Sequence, residues 1–231
     1  MFEIVNTLYL LVQRVQIWFN MNRGNDLLTG PKERAIAAVR EGDKETALAS
    51  IGELYDDFRP LHNRYVEWIN FLLSYISKKN GEEAVSEALE QLVDTIYRPL
   101  FENMVGMSHE EILKAVISLH RQHYSVCNVD EEDMKTVITL DECNVGGRLM
   151  KTGMDRKLGS LTTRAHSWSF NKEGVPYYCV HAAYFNKLFK ELGIPVEVNW
   201  ARQYDENGEP TGKTCNYTVS RKTILASSKD A

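Results

Sequence analysis

The side chains that could do chemistry in this 231-residue sequence fall mostly within one stretch, Asp141 to His181. It opens with Asp141-Glu142-Cys143-Asn144-Val145-Gly146-Gly147-Arg148, continues through Arg164, His166 and Trp168, and closes with Tyr178-Cys179-Val180-His181. Cys143 precedes two glycines, which let a ligand approach the backbone closely, so it suits a nucleophile or a ligand. Cys179 and His181 sit at a helix start, where free amides and the helix dipole favour a thiolate. Cys179 and Cys215 could share a zinc ion, because soft sulfur and imidazole donors suit it. Arg164 and Arg148 are candidates to grip a substrate carboxylate in bidentate fashion. His166 could move a proton near neutral pH. Trp168 has the parity to close over an apolar substrate, and Tyr178 stands beside Cys179 as a further binding residue.

The elements that must position these groups are helical first. Met1 to Phe19 is apolar but interrupted by Glu3, Gln13, Arg14 and Gln16, and it carries no basic leader pattern. It reads as a packing helix over 2–20, within the chain or between two copies, and not as a membrane span. Pro31 opens a short helix to Glu41. Leu48, Ile51, Tyr55 and Phe58 recur at helical spacing, and a kink or a new helix is expected at Pro60. The following helix ends at Asn80-Gly81 and carries His62, Val66, Ile69, Leu73 and Ile76 on one face. A helix over 82–103 follows. Then comes one opened by the capping box Ser108 to Glu111, whose stripe Ile112, Val116, Leu119 and His123 turns His123 inward. His62 and His123 are thus expected to be buried beside the 163–181 segment. His120 reads as solvated.

After Tyr124 the period changes. Asp130 to Asp133 reads as an acidic turn, and Lys135 to Leu140 alternates as a half-buried strand. Residues 151–177 read as a long loop, and Tyr178 to Leu192 as a helix closed by Gly193. Pro195 to Arg202 and Lys213 to Arg221 read as a hairpin turning at Asp205-Glu206-Asn207-Gly208. The expected fold is α+β: an N-terminal helical layer packed on a small antiparallel sheet with one central helix. One domain over 1–231 is expected, with a helical part at 1–124, a strand-helix-strand part at 125–221 and a tail at 222–231.

Composition narrows the function. The net charge is −5, from 27 basic and 32 acidic residues, with no basic stretch, which argues against nucleic acid as a partner. Four cysteines, spaced unlike a disulfide framework, fit a reduced, cytoplasmic setting.

The C-terminal part, roughly 135–221, resembles the 4-vinyl-reductase-type ligand-binding domains and the broader set of L-2-amino-thiazoline-4-carboxylic acid hydrolase-like proteins. The likeness rests on Cys179-x-His181 opening a helix, on Gly193-Ile194-Pro195-Val196, and on a closing strand Cys215-Asn216-Tyr217-Thr218-Val219. It implies helices first, then strands around a cysteine-bearing helix, with Cys179 and Cys215 on positions that hold zinc in some of those sensors. The Glu-x-x-Cys that supplies the other two ligands there has no counterpart here, so Cys143, His166 or His181 would complete the shell.

Together these readings lead to two expectations. One is a small-molecule hydrolase or lyase acting on a C–N or C–S bond of a carboxylate-bearing or heterocyclic substrate. Cys143, His166, His181, His123 and His62 would do the chemistry, Arg148, Arg164, Trp168 and Tyr178 would bind, zinc would assist, and no nucleotide cofactor would be needed. The other is a small-molecule-binding or sensory module without chemistry. A homodimer through the N-terminal helix is compatible with both.

Overall fold

A helical layer and a four-stranded sheet share one buried face. The computed structural model describes residues 29–221. The expected helix over 2–20, the dimer contact it would make and the tail at 222–231 lie outside the described residues. The chain divides into two compact units, one ending at Leu61 and the other starting at His62.

In the first unit, α1 (Pro31–Glu41) starts on a proline, whose missing N–H costs nothing at a helix start, and stops at Gly42 with φ 77°. The long helix α2 (Lys44–Asn80) contributes residues to both units and runs through Pro60 without a break. The expected interruption there does not occur. Among the described residues of the first unit the buried positions are Ala35, Ala38, Ala47 and Ser50, while Leu48, Ile51, Tyr55 and Phe58 are exposed. Arg34 pairs with Glu53.

The second unit holds the sheet. α2 ends at Asn80, where Gly81 takes φ 88°. α3 (Glu82–Leu92) passes through a π-helical turn, Val93–Tyr97, into α4 (Arg98–Glu102). α5 (His109–Arg121) is opened by the capping box: the Ser108 hydroxyl accepts from the Glu111 amide, and Glu111 accepts from the Ser108 amide at 2.8 Å. The helix ends before His123, which lies in the turn that follows.

Four strands follow in the spatial order β1-β2-β4-β3, all antiparallel: β1 (Val126–Glu131), β2 (Lys135–Glu142), β3 (Val196–Trp200) and β4 (Cys215–Ser220). Each of the other three strands buries alternate residues: Thr136, Ile138 and Leu140 on β2, Val196, Val198 and Trp200 on β3, and Cys215, Tyr217 and Val219 on β4. The register puts Ile138 opposite Tyr217, and Tyr217 opposite Val198, so one row of side chains crosses the sheet. Asp130 and Glu131 belong to β1 and not to a turn. β1 is an edge strand, solvated on most of its length, and charged residues are tolerated there.

The expected long loop over 151–177 is partly helical. α6 (Gly146–Lys151) ends at its first residue, α7 (Met154–Leu158) occupies its start, and a 3₁₀ turn, Ser167–Ser169, lies further on. α8 (Tyr177–Glu191) then lies along β3 and carries the centre of the core, where Phe185 and Phe189 meet Phe101 of α4 with ring centroids 5.0 and 4.7 Å apart. The fold is α+β, with helices packed on a small antiparallel sheet. Among the described residues no helix is long and apolar enough to cross a membrane.

Candidate functional site

The residues flagged by the sequence separate into two places. Cys143, Tyr178, Cys179, His181, His123 and Cys215 line one interior cavity of about 40 Å³, enclosed by α5, the β2 end, α6, α8 and β4. His120, Thr214 and Tyr217 line it too.

The double glycine makes this cavity compact. A Cβ on Gly146 would overlap the Sγ of Cys179, and one on Gly147 would overlap the Gly212 carbonyl and crowd Cys143 Cβ. Two bare backbones therefore let α6 close against α8 and the β3–β4 connection. Burial then sets the electrostatics. Cys179 lies in the first turn of α8, yet burial, with the Cys215 and Cys143 thiols nearby, pushes its pKa well up. Burial pushes Cys215 up to about 12. The helix-start effect that would favour a thiolate is overridden by the cost of charging sulfur inside an apolar shell.

The imidazoles respond in the opposite sense for the same reason. Burial, and then the neighbouring histidines, lower His120 to about 3 and His123 to about 4. Burial likewise lowers His181 to about 4, although the Tyr178 carbonyl to which its Nδ1 hydrogen-bonds works against the shift. All three are neutral at pH 7. His120 packs against Tyr217 with ring centroids 4.6 Å apart and planes tilted by 58°, so it is half-buried and not the solvated residue expected. Its Nε2 is buried with no hydrogen-bond partner among the described residues, as is the Thr214 hydroxyl. His62 is half-buried and reaches the cavity indirectly: its Nε2 lies 2.9 Å from His123 Nδ1.

The comparisons add nothing to this geometry. No family model, curated protein or solved structure matches the chain.

Zinc is the cofactor these residues were expected to hold. Among the described residues no group of three or more His, Cys, Asp or Glu side chains is arranged to hold a metal ion.

The second place is the segment 161–177, and it is an anchor. Arg164 and His166 were expected to reach into the cavity under Trp168; none of the three lines it. His166 Nε2 is 2.8 Å from Glu82 Oε2, and its ring stacks on Trp168 at 4.2 Å. Glu82, the first residue of α3, also accepts from the Thr163 amide at 2.7 Å and the Tyr177 hydroxyl at 3.0 Å. Burial raises the Glu82 pKa, but these donors outweigh it and hold the carboxylate below its usual range. Arg164 has a side chain 71% exposed and faces Glu83 at 3.6 Å. Arg148 is engaged as well, donating to Glu67 at 2.8 Å and to the Asn63 carbonyl at 2.9 Å. Among the described residues no lysine or arginine lines the cavity.

Two apolar spaces adjoin the cavity. A groove of about 380 Å³ between α2 and α3 shares Tyr97, Tyr178 and His181 with it. A second space of about 220 Å³ beneath α4 and α5 shares Leu119 and Tyr217. His120, Thr214 and Tyr217 are the site residues that the sequence reading passed over. His120 had a signal, because Ile112, Val116 and His120 are spaced by four on one helix face.

Proposed function

We propose that the protein binds a small amphipathic molecule, its apolar body in the groove between α2 and α3 and its compact, uncharged polar end in the thiol–imidazole cavity. The observation that carries this reading is the pair of unpartnered polar atoms, His120 Nε2 and Thr214 Oγ1, buried in the wall of a cavity. An orphaned buried polar group costs about 1–3 kcal/mol, and a ligand that hydrogen-bonds to it recovers that cost. The groove has the volume and apolar lining of small-molecule sites, with a few polar groups gathered at one end. The lack of any lining cation favours an uncharged end, since a buried unpaired carboxylate costs several kcal/mol.

A hydrolase using an attacking cysteine would need a thiol paired with a base. Among the described residues no histidine ring hydrogen-bonds to a cysteine. Binding without covalent chemistry is therefore the reading adopted.

Calorimetry with 4-butylphenol tests it. The wild type should bind, and Ala182→Leu, which fills the cavity wall, should weaken binding at least about tenfold, or about 1.4 kcal/mol. 4-Butylbenzoate, charged at neutral pH, should bind at least about tenfold more weakly than the phenol. Preference for the carboxylate, or equal binding by Ala182→Leu, removes the reading.

A further inference from the structure

The hydrogen-bond pattern around the cavity fixes which atoms its imidazoles can offer. His62 Nδ1 faces the side-chain carbonyl oxygen of Asn63 at 3.4 Å. A carbonyl only accepts, so His62 carries its proton on Nδ1. Neutral His62 then has a bare Nε2. Across the 2.9 Å contact the proton must come from His123 Nδ1. Neutral His123 is left with a bare Nε2, which hydrogen-bonds to no described residue. His181 reaches the same condition by a different route. Its Nδ1 donates to the Tyr178 carbonyl, so its Nε2 is bare too. Both rings line the cavity.

The pair stays neutral for reasons visible around it. Burial lowers His62, and the nearby Arg148 guanidinium lowers it further, against the Asn63 bond that raises it. On the His123 side, burial and then His62 disfavour a second proton. The titratable groups gathered here are His120, His181 and Tyr178 from the cavity wall, Tyr124 with its ring 5.6 Å from that of His62, and Arg148 paired with Glu67. None of the carboxylates within hydrogen-bonding reach of the described histidines contacts either ring of the pair.

We propose that the cavity is lined by imidazole acceptors and takes a hydrogen-bond donor, the neutral O–H or N–H end of its ligand, and that His62 is the positioning residue that holds His123 in the accepting tautomer. The proposal rests on the amphipathic-ligand reading for the occupant, but the tautomer stands apart from it. The Thr214 hydroxyl adds a group that can answer a ligand oxygen once the ligand proton is engaged. The ligand class that fits is a phenol, an enol, an oxime or a heteroaromatic N–H attached to an apolar body. Ethers, esters and tertiary amides, which only accept, meet lone pairs opposite lone pairs.

Two measurements on the full chain test this. Imidazole ¹⁵N shifts at pH 7.5 should show His123 protonated on Nδ1 in the wild type and returned to the Nε2–H form, which predominates in free histidine, in His62→Leu. Binding of 4-butylphenol should exceed that of 4-butylanisole, its methyl ether, at least about tenfold in the wild type, and His62→Leu should erase most of that preference. A His123 carrying Nε2–H in the wild type overturns the tautomer. Equal binding of phenol and ether overturns the donor requirement while leaving the amphipathic reading intact. If neither probe binds, the amphipathic reading and the donor requirement both fall, and the nitrogen shifts still decide the role of His62.

Discussion

At the scale of single residues, the cavity is built by what is missing from Gly146 and by what is unmet on Thr214. Gly146 has no Cβ because Cys179 Sγ occupies that space. Gly146→Ala must push α6 off α8, and overpacking of this kind costs about 1–3 kcal/mol. Urea unfolding should record that loss; an unchanged midpoint would mean that the two helices separate freely. Thr214→Val works in the other direction. It replaces a buried, unpartnered hydroxyl by a methyl of similar shape, so the unliganded protein should gain about 1 kcal/mol while binding of 4-butylphenol weakens. A lower melting temperature would show that the hydroxyl is bonded in the native state. Cys143, Cys179 and His181 were legible as a cluster because they crowd one stretch of sequence. Thr214 was not, since a threonine before a strand signals nothing until its burial is seen.

At the scale of elements, Glu82 at the start of α3 collects the segment 161–177 through His166, Thr163 and Tyr177. The arrangement reverses what the sequence led us to expect of that segment. His166→Ala removes a hydrogen bond to a largely buried carboxylate and a stacked ring, so it should destabilise by about 1–3 kcal/mol and leave probe affinity per folded molecule unchanged. Arg164→Ala breaks only an exposed pair and should shift stability by less than about 0.5 kcal/mol. If His166→Ala stays as stable as the wild type and loses binding, the segment belongs to the site after all. The elements themselves were legible where a terminus has its own chemistry: Pro31, Gly81, the Ser108 capping box and Gly193. They were not legible where tertiary packing decides. α6 and α7 are six and five residues long, too short for a period, and β1 is an edge strand without alternation. A 41-residue window also looked like one site, although its two ends line the cavity while Arg164, His166 and Trp168 in its middle face Glu82 and Glu83 of α3.

At the scale of the whole molecule, the cavity makes stability depend on pH in a window that carboxylates do not share. His120, His123 and His181 are held at about 3, 4 and 4 in the native state. In the unfolded chain each returns to about 6.5. Between those values the unfolded state binds the extra protons, so stability falls as pH falls and is flat above the unfolded value. Each histidine contributes a slope of up to about 1.4 kcal/mol per pH unit across that window. Glu82, Glu111 and Glu191 also have lowered pKa values, and their loss has the same sign, but it begins only near and below their unfolded value of about 4.5. Acidification from pH 6.5 to 5 therefore isolates the imidazoles. Urea unfolding at half-unit steps should show stability falling over that interval, and His120→Leu should both flatten the slope and remove one orphaned nitrogen. A curve level from pH 6.5 to 5 would mean that the three rings are hydrated or charged in the native protein, and the uncharged cavity that selects an uncharged ligand would go with it.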